Sequence, residues 1–260
     1  MDPMLNIAIR AARKAGDVIL RKLEQIDNIS YTEKSPNDFV TEVDVLAEKE
    51  VLYHLQKAYP DHSFLSEEAG LIGDPDAEFQ WIIDPIDGTN NFMHGLPHFC
   101  TSIALKHKSR IVQAVIYNPN TDQLFTASLG SGAQLNGRRI RVSKRKSLNG
   151  TLIGASPNKM HQSDIGFNID LFSNKISGFR YGGSLALDLA YVGAGYLDAC
   201  WSTHAKPWDI AAGILIVKEA GGMTCEFDGG ENYLQSGNLI TGNPKLVAQI
   251  MRELKTTAKA

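Results

Sequence analysis

Closely spaced acidic residues are the part of the sequence best suited to chemistry. Asp84 and Asp87 are separated by Pro85 and Ile86 and followed by Gly88. The proline holds Asp84 in an extended conformation, and the glycine lets the chain turn close to a ligand. Two carboxylates held together repel each other unless a cation or a shared proton intervenes, and Mg²⁺ prefers a few carboxylates with water and a substrate phosphate. For this segment alone, an Asp-Pro-x-Asp-Gly surface turn is the competing interpretation.

Three further acids occur where elements begin or end. Glu67, followed by Glu68, comes directly after an apolar run, and Asp209 stands in the first turn of a predicted helix. Asp44 lies three residues after Thr41, at the start of another predicted helix. Each acid also has a structural interpretation: a solvated loop charge for Glu67, a helix-dipole interaction for Asp209 and a capping box for Asp44.

Thr89 stands directly after the Asp84–Gly88 segment and could begin or cap a helix through Phe92. The free N–H groups in the first turn of such a helix bind phosphate well. An acidic metal site beside a helix start therefore predicts a phosphoryl site. Helix capping alone is the simpler interpretation, and it is compatible with phosphate binding at the same helix start.

Hydrophobic periodicity predicts the elements that must position these acids. Apolar residues at three- and four-residue steps predict helices over residues 5–23 and 41–59, with a polar loop over 33–38 between them. Segments rich in β-formers predict strands over residues 80–84, 99–106, 111–117, 123–128, 152–155, 179–181 and 197–201. The remaining helices are predicted over residues 164–172, 184–192 and 207–220, and Asn136-Gly137 predicts a hairpin. This alternation favours an α/β (α+β) fold in which helices cover sheets.

Length and composition are close to those of an ordinary globular protein. We expect one domain over residues 1–260, with an N-terminal half to about residue 147 and a C-terminal half from about residue 148. The net charge of −3 excludes a global positive field that would attract nucleic acid or anionic lipid. No apolar stretch approaches the length of a membrane span and the N-terminus lacks a signal-peptide pattern, so we expect a cytoplasmic protein without a membrane partner.

Two other patterns have weaker functional meaning. The basic run from Arg138 to Lys146 is either a solvated hairpin face or a contact for an anionic partner. The Gly182-Gly183-Ser184 segment precedes a predicted helix but lacks the lysine and the spacing of a P-loop.

Taken together, the acidic segments resemble the inositol monophosphatase family. That family has an acidic pair, then an Asp-Pro-hydrophobic-Asp-Gly-Thr stretch, and later a Trp-Asp pair followed by Glu-Ala-Gly-Gly. This chain carries them, in that order and nearly end to end, as Glu67-Glu68, residues 84–89, Trp208-Asp209 and residues 219–222. Asn90-Asn91-Phe92 is more similar to bacterial inositol-1-monophosphatases than to the nucleotide bisphosphatase or histidinol phosphatase branches.

The resemblance implies a layered α-β-α-β-α sandwich, commonly homodimeric, that hydrolyses inositol 1-phosphate with Mg²⁺ and is inhibited by lithium. The implied metal ligands are Glu67, Asp84, the carbonyl of Ile86, Asp87 and Asp209. The implied catalytic residues are Glu67, Asp44 and Thr89, and the last two orient the attacking water. The implied substrate contacts are Asp87, Gly88, Thr89, Gly183, Ser184, Ser202 and Asp209. Lys34 and Asp38 match a loop that the family places near the site.

One departure concerns the substrate. Many family members carry a glutamate seven residues before the Trp-Asp aspartate, where it binds inositol hydroxyls, and here that position is Ser202. Phosphatases of the same family that act on fructose bisphosphate, histidinol phosphate or a nucleotide 3′-phosphate therefore remain alternatives. Some bacterial relatives also bind the transcription or ribosomal-RNA machinery, and Arg138 to Lys146 would be the first contact to test.

Overall fold

The computed structural model describes residues 2–35, 38–157, 172 and 174–257. Its helices are α1 (Pro3–Leu23), α2 (Glu42–Ala58), α3 (Thr89–Met93), α4 (Leu185–Gly193), α5 (Pro207–Glu219), α6 (Tyr233–Ser236) and α7 (Pro244–Thr257). Its N-terminal strands are β1 (Tyr31–Ser35), β2 (Asp38–Thr41), β3 (Ser63–Ser66), β4 (Gly70–Ile72), β5 (Phe79–Asp87), β6 (Cys100–His107), β7 (Arg110–Asn118), β8 (Gln123–Ser128), β9 (Gly132–Leu135) and β10 (Arg138–Arg139). Its C-terminal strands are β11 (Leu152–Pro157), β12 (Gly178–Arg180), β13 (Ala199–Thr203), β14 (Met223–Cys225) and β15 (Leu239–Gly242).

A sheet of eight strands, in the order β10-β9-β8-β7-β6-β5-β3-β4, separates two helical layers. Successive residues of a strand point to opposite faces, and β5 uses both. Trp81 and Ile83 pack with α1 and α2 on one face, whereas Ile82 packs with α4 and α5 on the other. This double burial explains why β5 reads as a continuous apolar run.

A second sheet, in the order β12-β11-β13-β15-β14, covers the opposite side of the two central helices. Cys200 and Leu239 face α4 and α5, and Trp201 and Ile240 face α7. The layers are therefore α1/α2, the large sheet, α4/α5, the small sheet and α7. The predicted α-β-α-β-α sandwich is confirmed.

The polar loop predicted over residues 33–38 is wrong. Tyr31 to Ser35 and Asp38 to Thr41 pair as antiparallel strands, with Tyr31 opposite Thr41 and Glu33 opposite Phe39. Residues 31–34 are exposed and residues 39 and 40 only partly buried, so the strands of this ribbon lack an alternating apolar pattern. Most of the helix predicted over residues 164–172 lies outside the described residues. None of the described helices combines the length and apolar character that crossing a bilayer requires.

Candidate metal centre

An irregularity at the end of β5 brings Asp84 and Asp87 together. Asp84 lies opposite Ser102 of β6 and Asp87 lies opposite Cys100, so three steps along β5 match two along β6. Residues three apart in a regular strand point to opposite faces, and one extra residue returns them to the same side. Oxygens of both carboxylates and of Asp209 all lie within 4.8 Å of one another.

Asp209 reaches this cluster from the first turn of α5. Its Oδ2 accepts a hydrogen bond from the backbone N–H of Lys206 at 2.8 Å, which caps the helix. The structural interpretation of Asp209 is therefore correct, but the side chain also stands beside two other carboxylates. Both roles are served by the same short side chain at a helix start.

Asp87 is held by the start of α4. Its Oδ2 accepts hydrogen bonds from Ser184 Oγ at 2.6 Å and from the backbone N–H of Ala186 at 2.7 Å. These bonds fix the carboxylate and stabilise its charge. The structure thus brings Ser184, a predicted substrate contact, onto a predicted metal ligand.

Asp84 has the least satisfied environment of these acids. It is 1% exposed, and among the described residues its Oδ1 has no hydrogen-bond partner. Burial, followed by repulsion from Glu67, Asp87 and Asp209, raises the pKa of Asp84 well above its ordinary value. A buried polar atom without a partner costs about 1–3 kcal/mol, so this oxygen calls for a ligand.

Burial also raises the pKa of the neighbouring acids. Burial and then weaker charge interactions raise the pKa of Glu67 to about 7, although Lys34 opposes the shift. Burial and repulsion from Asp87 raise the pKa of Asp209 to about 8. Burial raises the pKa of Asp87 to about 6 against its bonds from Ser184 and Ala186.

The donor set suits a hard divalent cation. Carboxylate oxygens are the ligands that Mg²⁺ takes in proteins, and a cation would relieve the repulsion that raises these pKa values. Asp84 also offers a buried oxygen that has no hydrogen-bond partner among the described residues. The residues present therefore fit a Mg²⁺ site.

Glu67 meets the cluster from the end of β3, beside a lysine from the β1–β2 hairpin. Lys34 Nζ lies 3.2 Å from Glu67 Oε1 and 2.5 Å from Glu68 Oε1. Burial lowers the pKa of Lys34, but the two glutamates raise it above its ordinary value. The prediction that Lys34 approaches the site is consistent with these distances. The side chain of Asp38 is not among those described.

Asp44 and Thr89 form a second polar unit next to the carboxylates. Thr89 Oγ1 lies 3.0 Å from Asp44 Oδ1 and 3.0 Å from the carbonyl oxygen of Ile86. Asp44 Oδ2 accepts bonds from Thr41 N–H at 2.8 Å and Thr41 Oγ1 at 2.6 Å, which completes the capping box of α2. Burial raises the pKa of Asp44 despite these bonds. Thr89 is the first residue of α3, a helix of five residues that is capped by Gly88.

The two predicted glycine contacts lie against each other. Gly88 has φ of +98°, and a Cβ there would stand 3.2 Å from the carbonyl oxygen of Gly183 and 3.0 Å from that of His98. Gly183 also has a positive φ, +79°. A side chain at position 88 would therefore force the two segments apart.

Ser202 lies on β13 and is 1% exposed. Its hydroxyl donates to the carbonyl oxygen of Ser156 on the neighbouring strand at 2.7 Å. This bond occupies the single donor of the side chain, so Ser202 is not the extended charged acceptor that a glutamate would be. Its role as a substrate contact stays a prediction.

Sequence reasoning missed a buried glutamate behind the site. Glu48 Oε1 accepts hydrogen bonds from the Ser66 hydroxyl and from the backbone N–H groups of Glu68 and Ala69, the last two at 3.1 Å. It therefore holds the turn that carries Glu67. The available signal was spacing: Glu48 lies four residues after Asp44, on the buried face of α2.

Comparison with known proteins agrees with this geometry. A model of the inositol monophosphatase family matches residues 1–258. A Pseudomonas aeruginosa protein named Nus factor SuhB is 46% identical, over 98% of this chain and 97% of that protein. The crystal structure of an extragenic suppressor protein suhB from Bartonella henselae superposes with a TM-score of 0.94, at 40% identity over 98% and 99% of the two chains. An inositol monophosphatase from Anabaena superposes with a TM-score of 0.86, at 32% identity over 97% and 95%.

Replacing Asp84 by asparagine should separate metal binding from folding. Asp84→Asn removes a buried carboxylate that Glu67, Asp87 and Asp209 repel, so in EDTA the variant should be as stable as the wild type or more stable by about 1 kcal/mol. The rise in melting temperature that Mg²⁺ gives the wild type should disappear. Differential scanning calorimetry with and without Mg²⁺ measures both. Asp198→Asn is the matched control, because Asp198 is a buried carboxylate outside the cluster, bonded to the Leu152 N–H at 2.9 Å, and its replacement should keep the Mg²⁺ response.

The raised pKa values predict a particular dependence of stability on pH. Between about pH 4 and 8 the unfolded chain loses protons that Glu67, Asp87 and Asp209 retain when folded, so their contribution to the free energy of unfolding falls as pH rises. Stabilisation by Mg²⁺ should grow over the same range, because the ion needs ionised carboxylates. Melting temperatures in EDTA and in Mg²⁺ from pH 5 to 8.5 test this. A Mg²⁺ effect that is independent of pH would contradict it.

Proposed function

The chain belongs to the inositol monophosphatase family, and on that basis we propose that it is a Mg²⁺-dependent phosphatase that hydrolyses inositol 1-phosphate. The observation that carries the proposal is the buried cluster of Asp84, Asp87 and Asp209, in which Asp84 Oδ1 has no hydrogen-bond partner from the described part of the chain. Family membership supports phosphomonoester hydrolysis. The choice of inositol 1-phosphate rests on the resemblance of the motifs to the inositol monophosphatase branch.

Mg²⁺ would be held by the carboxylates of Glu67, Asp84, Asp87 and Asp209 and by the carbonyl oxygen of Ile86. When bound, it supplies a water of lowered pKa and neutralises charge on the phosphate. The protein contributes a rigid cage. Ser184 and the Ala186 N–H fix Asp87, and the Lys206 N–H fixes Asp209.

Thr89 and Asp44 would orient the attacking water. A hydroxyl that donates to Asp44 Oδ1 keeps its lone pairs free, so Thr89 Oγ1 can accept a hydrogen bond from the water. The proton can then pass through the hydroxyl to Asp44, whose raised pKa favours receiving it. Thr41 holds the other oxygen of Asp44 and keeps the carboxylate directed at Thr89.

Substrate contacts would come from the facing segments around Gly88 and Gly183. Their backbones approach closely without intervening side chains, which leaves N–H groups accessible to phosphate or sugar hydroxyls. Ser202 would contribute at most a short neutral contact. We therefore expect weaker discrimination among small phosphomonoesters than a glutamate at this position would give.

A substrate panel with Mg²⁺ tests the proposed function. Initial rates on inositol 1-phosphate, fructose 1,6-bisphosphate, histidinol phosphate and a nucleotide 3′-phosphate should give the highest kcat/KM for inositol 1-phosphate. Asp84→Asn, which removes a proposed metal ligand, should abolish turnover of every substrate. A clear preference for another member of the panel would reassign the substrate within the family.

The water-orienting role makes a sharper kinetic prediction. Thr89→Ala should lower kcat by roughly 10²–10⁴-fold, the usual range for general acid–base assistance, with a much smaller change in KM. Asn90→Ala is the matched control, since Asn90 is the exposed next residue of the same helix. A raised KM with unchanged kcat would make Thr89 a binding residue instead.

A second candidate function is participation in transcription, and the observation that favours it is the 46% identity to a protein named Nus factor. The basic run gives a surface for an anionic partner. We call this surface the basic face and define it by the exposed side chains of Arg138, Arg139, Arg141, Lys144, Arg145 and Lys146. Arg145 also lies 3.4 Å from Asp198 and is the member most engaged with the protein itself.

The two candidates can be separated with two variants. Pull-down with purified RNA polymerase and its elongation factors should be retained by Asp84→Asn and reduced by replacing Arg138, Arg139, Lys144 and Lys146 with glutamine. Phosphatase activity should show the reverse pattern. Equal pull-down by both variants would remove the basic face as the contact.

A further inference from the structure

A buried acid and a histidine outside the proposed metal ligands share an unusual environment. Asp188 lies in the otherwise apolar helix α4 and is 1% exposed. Its Oδ1 is 3.7 Å from Nε2 of His98. Among the described residues, neither His98 Nε2 nor Asp188 Oδ2 has a hydrogen-bond partner. Burying these groups is costly, so a benefit elsewhere in the molecule is expected.

The pair lies directly beneath the backbone of Gly182. A Cβ at that position would stand 2.5 Å from His98 Nε2 and 2.6 Å from Asp188 Oδ1. Burial raises the pKa of Asp188, and interactions with His98 and with the backbone of Gly182 oppose that shift. The imidazole of His98 and the carboxylate of Asp188 therefore pack directly against the backbone of Gly182.

Asn91 of α3 binds the backbone on both sides of this contact, next to His98 and next to Gly182. Its Nδ2 donates to the carbonyl oxygen of His98 at 2.7 Å and to that of Gly182 at 2.8 Å. A Cβ on Gly183 would stand 2.9 Å from this amide. One side chain thus joins the segment before β6 to the turn before α4.

The turn of residues 182–184 leads straight into the metal cluster. Two residues after Gly182, the hydroxyl of Ser184 donates to Asp87 Oδ2. The N–H of Asp188 in turn donates to the carbonyl oxygen of Ser184 at 3.1 Å, as the first turn of α4 closes. A shift of the His98 or Asp188 side chain would therefore move the backbone of Gly183, while Asp87 keeps its second bond from the Ala186 N–H.

We propose that His98 and Asp188 are a positioning pair that sets the conformation of the 182–184 turn as a substrate-binding surface. The proposal rests on the proposed phosphatase function and assigns the pair to substrate binding. Neither residue touches the reacting atoms. Their effect passes through the backbone of Gly182 and Gly183, so it should appear mainly in KM, while the Ala186 N–H continues to hold Asp87 at the metal site.

The test uses Asp188→Asn, His98→Gln and the double variant. Asparagine keeps the size of the side chain and an acceptor for the Gly182 backbone, but it loses the charge that faces His98. Each single variant should raise KM for inositol 1-phosphate roughly 10-fold or more, the range for residues that orient a ligand-contacting group from behind. The kcat value and the affinity for Mg²⁺ alone, measured by calorimetry, should change less than about twofold. If the residues act as a pair, the double variant should resemble the singles.

Asp198→Asn is the matched control. Asp198 is also a buried carboxylate, and it directly precedes β13. It accepts a hydrogen bond from the Leu152 N–H at 2.9 Å. This control should lower the melting temperature without changing KM. A lowered melting temperature with unchanged KM for Asp188→Asn and His98→Gln as well would make the pair purely structural and overturn the proposal. Additive effects on KM in the double variant would also overturn the pairing.

Failure of the proposed function has a distinct signature. If the wild type does not hydrolyse inositol 1-phosphate, the proposed function is wrong. Calorimetric titration of inositol 1-phosphate into the Mg²⁺-loaded proteins then tests whether His98 and Asp188 position the 182–184 turn. Weaker binding by Asp188→Asn and His98→Gln than by the wild type and Asp198→Asn would support the positioning pair. Equal binding by all four proteins, or no binding by the wild type, would overturn it.

Discussion

Repulsion among carboxylates that the fold buries together is the constraint on which this structure depends. Glu67, Asp87 and Asp209 each raise the pKa of Asp84, and burial raises the pKa of all four carboxyl groups. Such a cluster is tolerable only when protons or a cation neutralise it. The cluster therefore lowers the stability of the metal-free protein, and a divalent ion bound there would relieve the repulsion.

The fold meets this constraint by bringing each acid from a different element. Two come from the irregular end of β5, one follows β3 and one stands in the first turn of α5. Backbone N–H groups at helix starts hold Asp87 and Asp209, so the charges face the positive ends of α4 and α5. Because these two helices form the middle layer, both sheets contribute to holding the site rigid. The turn before α4 is held by the buried pair of His98 and Asp188 and by the Asn91 amide.

Membership of a phosphatase family does not by itself assign an activity, because a fold and a site are separate properties. The relative named Nus factor is 46% identical to the chain in sequence, and the relative named inositol monophosphatase shares its architecture. What favours catalysis here is the state of the carboxylates. A protein that acted only through its surface would have no use for a buried Asp84 oxygen that finds no partner among the residues the structure describes. A partner-binding role would instead depend on exposed groups such as those of the basic face, and the two roles are compatible.

The sequence by itself determined that helices cover sheets and the order of the chemical groups, because hydrophobic periods and the Asp-Pro-x-Asp-Gly spacing are local properties of the chain. The order of the layers was implied only by the resemblance to the family. The sequence did not reveal the β1–β2 hairpin, because residues 31–34 of β1 are exposed and have no apolar pattern. Only the tertiary structure decided which acids meet, that Glu48 supports the turn carrying Glu67, and that Asp188 faces His98, which lies 90 positions earlier in the chain. Contacts between segments far apart in the chain depend on how layers stack, and no short stretch of residues encodes that stacking. The pKa values followed from it as well, because burial and the proximity of like charges exist only once the layers have closed.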